Sequence, residues 1–420
     1  MAYFLVNLKE KVIIQMSKLK IRNFGPIRDG YQEDEGWFDI NKVTVFIGNQ
    51  GSGKSTVAKL YSTLSWIEKA LVRGDIREKD ILKKGQFLYH CSFQNIGDYF
   101  KPETLIEYIG KAFHIYYRNG DVAISKNEKN GYSFPKIMYV PAERNFISAV
   151  RNVKNLKGLA NTLYTFSDEF IKAVEDLRSP LDLPINNVKF EYQKLNQLSS
   201  IVGDDYKIRL SNASSGFQSL VPLYIVSKYL AETLKSKTNH SVRELSIEEE
   251  NRIKNEIELI LSNANLSEEV RQASLEYLSS KFSYSSFINI VEEPEQNLYP
   301  SSQQHILNSL LGFNNIDINN QLIITTHSLY IINYLTLAVK AGTLKGKLTE
   351  NGIEKLNEIV PVKSTINAND LIVYQLDEKN GTISKLDTYK GLPSDENRLN
   401  EEMGESNELY ARLLEIQQGI

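Results

Sequence analysis

The chain has 420 residues, 41% hydrophobic and 24% charged, with a net charge of −3. That length predicts two or three domains, or one large core carrying insertions. The balanced charge removes bulk basicity as a pointer to nucleic acid, and the single cysteine, Cys91, excludes a disulfide scaffold.

No apolar run reaches the roughly 18 residues of a membrane-spanning helix. The first residues, Met1-Ala2-Tyr3-Phe4-Leu5, open a stretch too short and too mixed for a secretory leader. Met16 is a candidate alternative start, and the expected compartment is the cytoplasm.

Residues 18–24 alternate polar and apolar, as a half-buried strand does, and Gly25-Pro26 break the pattern. A loop rich in Asp, Glu and Gly follows at 29–36. Residues 43–47 are apolar and β-branched, which predicts a buried strand. They lead into Gly48-Asn49-Gln50-Gly51-Ser52-Gly53-Lys54-Ser55-Thr56. Val57, Leu60, Tyr61, Leu64 and Ile67 then fall at helical spacing, predicting a helix over 54–72.

That turn is the G-x-x-x-x-G-K-[ST] phosphate loop. Its glycines let backbone N–H groups converge on phosphate oxygens without a Cβ in the way. The helix starting near Lys54 points its positive dipole end at the same anion. Lys54 neutralises β/γ-phosphate charge, and the Ser55 hydroxyl ligates Mg²⁺.

Residues 73–114 read as charged and mainly helical. A hairpin is expected at 112–117 and 122–125 around Asn119-Gly120, then a short buried strand at 136–140 ended by Pro141. Polar helix broken at Pro180 and Pro184 fills 142–186, and strands are expected at 188–192 and 206–210. The small-residue loop 211–218 precedes an apolar helix. It is either a turn with Ser214 or Ser215 as N-cap, or a second phosphate-binding surface built from hydroxyls, Gly216 and the helix terminus. Residues 232–282 have helical period and high charge. They are an inserted arm or a solvated helix pair.

Residues 287–291 form a buried strand that runs into Glu292-Glu293-Pro294-Glu295. A helix is expected at 303–311 and a strand at 322–326, ended by His327-Ser328, with Ser328 as N-cap of a helix at 329–341. Residues 370–376 and 382–389 pair around Asn380-Gly381, and 393–418 form an acidic helix.

A phosphate loop needs a second strand presenting acid to Mg²⁺ and water. Glu292 is placed to hold Mg²⁺ through water, and Glu293 to orient or deprotonate the attacking water. His327 ends a strand of an expected parallel sheet, where ligand groups gather, and can contact a γ-phosphate. Lys54, Glu293 and His327 are the catalytic candidates.

The order of these features resembles the ATP-binding-cassette (ABC) ATPases of the structural-maintenance, Rad50 and RecF group. More narrowly, it resembles the stand-alone bacterial AAA15/AAA21-type ATPases related to the overcoming-lysogenisation-defect family. Leu19-Lys20-Ile21-Arg22-Asn23-Phe24-Gly25 resembles the group's first strand, and 48–55 matches its Walker A. Ser214-Ser215-Gly216 is similar to the signature loop, 288–293 to Walker B, and Asn297-Leu298-Tyr299-Pro300 to the D-loop. His327 matches the switch histidine. Tyr139-Val140-Pro141-Ala142-Glu143-Arg144-Asn145 resembles a segment common in the subgroup, near the place of a Q-loop glutamine.

Some positions depart from the group. Asn49-Gln50 replaces the usual Asn-Gly, the signature reads Ser-Ser-Gly-Phe-Gln, and Glu292 stands where most groups have aspartate. No long heptad pattern occurs in 145–210, and 336–420 lacks a Toprim nuclease signature.

The resemblance implies an α/β P-loop NTPase of ABC-ATPase type, with a mixed parallel core sheet, an antiparallel β lobe and a helical insertion. It divides the chain into an extension at 1–17, an ATPase domain at 18–231, an insertion at 232–283, the ATPase domain continued at 284–345, and a β/helical extension at 346–420. ATP would lie against Asn49, Gln50, Gly51, Ser52, Gly53, Lys54, Ser55 and Thr56, with Mg²⁺ on Ser55 and Glu292. Ser214, Ser215 and Gly216 would serve a neighbouring subunit. Implied partners are a second copy of the chain and a separately encoded effector, in anti-phage defence.

An alternative is a repair or recombination ATPase binding duplex DNA, with Lys136, Arg144, Arg151, Lys154 and Lys157 as its basic cluster. The same residues also suit a solvated helix. Glu293 argues against a third reading, a scaffold that binds ATP without hydrolysing it.

Overall fold

The computed structural model describes residues 17–127, 132–150, 158–235, 247–262, 271 and 284–418. Strands β1 (Ser17–Phe24), β2 (Gly30–Tyr31), β3 (Phe38–Ile40) and β4 (Val43–Gly48) lead into helix α1 (Lys54–Arg73). β1 buries Leu19 and Ile21 and exposes Lys18 and Arg22, the period-two pattern of a strand with one covered face. In β4 every residue is buried, as a central parallel strand covered on both faces requires. α1 ends at Gly74, whose left-handed backbone (φ 79°) lets its N–H reach the Ala70 and Leu71 carbonyls.

Two short helices, α2 (Glu78–Ile81) and α3 (Gln86–Ser92), precede β5 (Phe100–Ile109), β6 (Phe113–Arg118) and β7 (Asp121–Lys126). The helical expectation for 73–114 therefore fails over β5. That strand alternates buried and partly buried residues only from Thr104 onward, and its first half carries Lys101, Pro102 and Glu103. Its identity comes from pairing with β1, a contact between distant parts of the chain. Strands β3-β1-β5-β6-β7 form one antiparallel sheet, the expected β lobe.

β8 (Pro135–Val140) is followed by α4 (Asn145–Ala149) and α5 (Asn161–Glu175). β9 (Leu181–Asp182), β10 (Lys189–Gln193), β11 (Leu198–Val202) and β12 (Lys207–Arg209) make a small antiparallel sheet in the order β12-β11-β10-β9. β11 lies between the two expected strands and pairs with both. Next come α6 (Ser215–Lys235) and α7 (Ile247–Ser262). α6 begins inside the small-residue segment rather than after it. Of the 232–283 insertion, the end of α6, α7 and Arg271 are described; the remainder lies outside the described residues.

The last elements are β13 (Ser286–Glu292), α8 (Pro300–Asn314), β14 (Gln321–Thr326), α9 (Leu329–Lys345), α10 (Glu350–Ile359), β15 (Leu371–Asp377), β16 (Thr382–Lys385) and α11 (Arg398–Gln418). The central sheet has the order β2-β16-β15-β4-β14-β13-β8. β15, β4, β14, β13 and β8 run parallel, and β16 is antiparallel to β15. Residues 371–377, assigned from sequence to a C-terminal extension, thus pair directly with the phosphate-loop strand.

Two apolar layers sandwich this sheet. Val43, Val45 and Ile47 of β4 face a core shared with α5, α6, α8 and α9, including Phe166, Leu220, Leu307 and Leu335. Phe46 faces the opposite core, shared with α1 and the β lobe, including Leu60, Ile106 and Ile115. Full burial of such side chains contributes about 1.5–3 kcal/mol each. β4 is therefore held by apolar packing on both of its faces.

The fold is an α/β P-loop NTPase of the ABC-ATPase type, with the antiparallel lobe on one face of a mixed sheet. Among the described residues no helix is long and apolar enough to cross a membrane.

Two members of the proposed DNA-binding cluster do not face solvent. Arg144 is fully buried, and Lys136 Nζ lies 2.7 Å from Glu169 Oε1, with both side chains largely covered. Arg151, Lys154 and Lys157 lie outside the described residues.

Candidate active site

Five parallel strands end on the same side of the sheet, and the candidate residues follow those ends. β4 delivers the phosphate loop, β13 Glu292 and Glu293, β14 His327, β8 Arg144, and β15 Glu378.

The loop is shaped by three left-handed glycines, Gly48 (φ 144°), Gly51 (φ 75°) and Gly53 (φ 103°). A Cβ on Gly48 would lie 2.4 Å from the Leu376 carbonyl oxygen of β15, so no larger residue fits. Asn49, Gln50 and Gly51 are exposed, while Ser52, Gly53 and Thr56 are buried. The Ser52 hydroxyl is buried with no hydrogen-bond partner among the described residues, an orphan of the kind a phosphate oxygen would satisfy. Asn49 Oδ1 accepts the Gln50 N–H at 2.7 Å, and its Nδ2 reaches Glu378 Oε1 at 3.4 Å.

Lys54 is 5% exposed. Its Nζ donates to the Gly48 and Asn49 carbonyls, each at 2.8 Å, and lies 3.3 Å from His327 Nδ1. Burial pulls its pKa down to about 8, against the opposing pull of Glu293, Glu295, Glu378 and Glu292.

His327 Nε2 is 3.1 Å from Glu293 Oε1, and its Nδ1 is 3.1 Å from the Gly48 carbonyl oxygen. Lys54, His327 and Glu293 therefore form a continuous row of contacts across β4, β14 and β13. The His327 hydrogen bond, with the charges of His327, Lys54 and Arg144, holds the Glu293 carboxyl below its ordinary range despite partial burial. Glu293 has a left-handed backbone, φ 43°, at the point where β13 turns away from the sheet. Glu292 is 4% exposed and accepts the Ala142 N–H through Oε2 at 3.2 Å.

Two residues of the site escaped the sequence reading. Glu295 Oε1 accepts both the Thr326 hydroxyl and the His327 N–H, each at 2.7 Å, so it fixes the end of β14. Its Oε2 is buried without a partner among the described residues, and burial raises its pKa. The Glu292-Glu293-Pro294-Glu295 run was visible, but only its first two carboxylates were given roles. Arg144 was read as a surface cation. Its Nη1 donates to the Glu292 carbonyl at 2.7 Å and its Nη2 to the Glu293 carbonyl at 2.6 Å. No local pattern betrays either role.

Ser328 occupies the N-cap position of α9 without a side-chain cap. Its hydroxyl donates instead to Gln303 Oε1 at 2.5 Å, tying the His327 segment to α8.

Ser214 and Ser215 are exposed at the N-terminus of α6. Among the described residues, no hydrogen bond joins 214–216 to the phosphate loop of the same chain. Gly216 packs closely on the Asn297 segment, where an added Cβ would sit 2.9 Å from the Asn297 carbonyl oxygen.

Among the described residues no group of three His, Cys, Asp or Glu side chains could hold a metal ion by itself. A phosphate-loop Mg²⁺ does not need one, because phosphate oxygens and water complete its shell. One hydroxyl, Ser55, and one buried carboxylate, Glu292, fit that donor set.

The strand order and the phosphate loop give the chain the fold of an ABC-type P-loop ATPase. Several solved structures are similar. The head domain of an SMC protein from Thermotoga maritima has 11% identity, covering 90% of this chain and 100% of that one, with a TM-score of 0.38. An SMC head bound to the C-winged-helix domain of ScpA has 11% identity over 89% of this chain and 98% of that one, at 0.38. A dimeric ATP-binding cassette in a post-hydrolysis state, bound to ADP and Pi, has 11% identity over 89% and 100%, at 0.29. The strand order above, not these low scores, carries the fold assignment. No protein-family model matches the sequence, and no curated protein matches it.

Proposed function

We propose that the chain binds ATP with Mg²⁺ and hydrolyses it to ADP and phosphate, in sites shared between two copies. The observation that carries this reading is the row Lys54–His327–Glu293, with contacts of 3.3 and 3.1 Å, at the mouth of a phosphate loop.

In this reading the backbone N–H groups of 49–53, with Ser52, Lys54 and Thr56, hold the phosphates. Ser55 and Glu292 hold Mg²⁺, which when bound neutralises charge on the β- and γ-phosphates. Glu293 orients the attacking water and takes its proton as the oxygen joins the γ-phosphorus. The bond from that phosphorus to the bridging oxygen breaks, and ADP leaves with the electron pair. His327 holds Glu293 in line and reaches towards the γ-phosphate. Ser214, Ser215 and Gly216 contact the nucleotide of the neighbouring copy.

The wider role we propose is control of a separate effector in anti-phage defence, from the cytoplasm. Its support is the order of motifs and the lack of a Toprim signature in 336–420. The DNA-binding alternative is not carried forward, since Lys136 and Arg144 are engaged within the protein.

Phosphate release and light scattering test the reading together. Glu293→Gln is expected to slow phosphate release at least about a hundredfold and to accumulate an ATP-bound dimer. Unchanged release overturns hydrolysis at this site, and association indifferent to ATP overturns the shared site.

A further inference from the structure

Among the described residues Arg144 makes four hydrogen bonds, and all end on main-chain carbonyls. Nε donates to Ser219 at 3.2 Å, Nη1 to Pro141 at 3.3 Å and Glu292 at 2.7 Å, and Nη2 to Glu293 at 2.6 Å. These acceptors belong to the end of β8, the end of β13 with its left-handed Glu293, and the first turns of α6. One rigid, planar guanidinium therefore joins the proposed signature helix to the backbone of the proposed catalytic glutamate.

A plain strut would not need a charge. Burying a guanidinium is unfavourable unless other charges offset it, and the charges that do so here are Glu295, Glu293, Glu292 and Glu143. The cation thus lies beneath the acid end of β13 and lets adjacent carboxylates coexist there. Two further contacts reinforce the same junction. Ser219 Oγ donates to Gln296 Oε1 at 3.2 Å, and Gly216 packs on Asn297. The Ser148 hydroxyl of α4, just beyond Arg144, donates to the Gln218 carbonyl at 2.8 Å. The start of α6 and the turn at 292–298 form one mechanical unit, with Arg144 at its centre.

We infer that Arg144 is the positioning residue that transmits the placement of the α6 N-terminus to Glu293, so that engagement of 214–216 by a neighbouring copy's nucleotide sets the alignment of Glu293 for water. The cross-subunit half of this inference rests on the function proposed above; the strut does not.

Amide hydrogen exchange on the full chain without nucleotide tests the strut directly. Arg144→Lys is expected to speed exchange in both 292–298 and 215–222 while leaving α1 at the wild-type rate. Loosening of one segment alone, or of neither, overturns the inference. Ser219→Ala, a milder change, is expected to loosen the same two segments to a smaller degree, and it keeps the test open if Arg144 variants fold poorly. In steady-state assays Arg144→Lys is expected to lower kcat at least about tenfold with KM within about twofold. Millimolar guanidinium, but not ammonium, should partly restore kcat to Arg144→Ala. An unchanged kcat, or a rise in KM alone, overturns the positioning role. Wild-type protein no more active than Lys54→Ala would instead sink the hydrolysis reading, and the exchange result would still decide the strut.

Discussion

His327 Nε2 stands 3.1 Å from Glu293 Oε1 while the same ring's Nδ1 faces the Gly48 carbonyl at 3.1 Å and Lys54 Nζ at 3.3 Å. One imidazole thereby connects the acid at the end of β13 to the phosphate loop at the end of β4. In a site that acts this way, His327 and Glu293 work as a pair. Glu293→Gln should lower kcat by roughly 10²- to 10⁴-fold, the range for loss of a general base. His327→Ala should lose on the order of 10²-fold. The double variant should be no slower than Glu293→Gln, because groups acting as a unit do not add. Independent losses that multiply in single-turnover phosphate release would show that the contact is incidental.

Lys54 predicts a pH dependence of nucleotide affinity. Burial leaves its ammonium titrating near pH 8, and phosphate binding favours the charged form. Below that pH the lysine already carries its proton, so affinity is flat with respect to this group. Above it, binding must take up a proton, and the Kd for ATP rises by up to about tenfold per pH unit. Stability moves the other way. The folded value lies below the ordinary lysine value, so the penalty for a buried ammonium is present at low pH and fades as pH rises from about 8 to 10.5. Fluorescent-nucleotide titrations from pH 6 to about 9.5 measure the first effect; an affinity constant across that range would contradict it.

Glu295 separates an acceptor role from a charge role. Its folded pKa is raised by burial, so the ionised form destabilises the fold. The penalty is absent below the ordinary value of 4.5 and builds as pH rises from there to the folded value. Glu295→Gln keeps an oxygen for Thr326 and for the His327 N–H but removes a charge that offsets Arg144, so it should cost less than Glu295→Ala at pH 7. Glu295→Ala strands both donors and should cost about 1–3 kcal/mol, with a fall in kcat as His327 loosens. Urea denaturation of the two variants decides it; equal destabilisation by both would contradict the account.

Local patterns made much of this legible. The apolar run at 43–47 ahead of Gly48–Lys54, and the run ahead of Glu292, are continuous because β4 and β13 are covered on both faces. What escaped depends on distant partners. β5 is charged and carries Pro102, and pairing with β1 on one side and β6 on the other makes it a strand. β15 looked like half of an isolated hairpin, yet its other neighbour is β4. Arg144 looked solvated because a charge in a polar segment usually is. Carbonyls from three separate elements bury it. Glu295 was hidden because its partners, the Thr326 hydroxyl and the His327 N–H, lie 31 and 32 residues away at the end of β14.

The central claim is that each site is completed by a second copy, since Ser214 and Ser215 are exposed and unlinked to their own Lys54. Mixing two inactive variants tests it most directly. Lys54→Ala removes the phosphate-loop lysine and leaves 214–216 intact; Ser215→Arg obstructs the signature and leaves Lys54 intact. Each alone should show no ATPase activity. Mixed in equal amounts they should regain about a quarter of wild-type turnover, because half the dimers are mixed and each restores one of its two sites. Recovery near that level is the predicted result; a mixture as inactive as its components, or a Ser215→Arg protein with full activity, would contradict it.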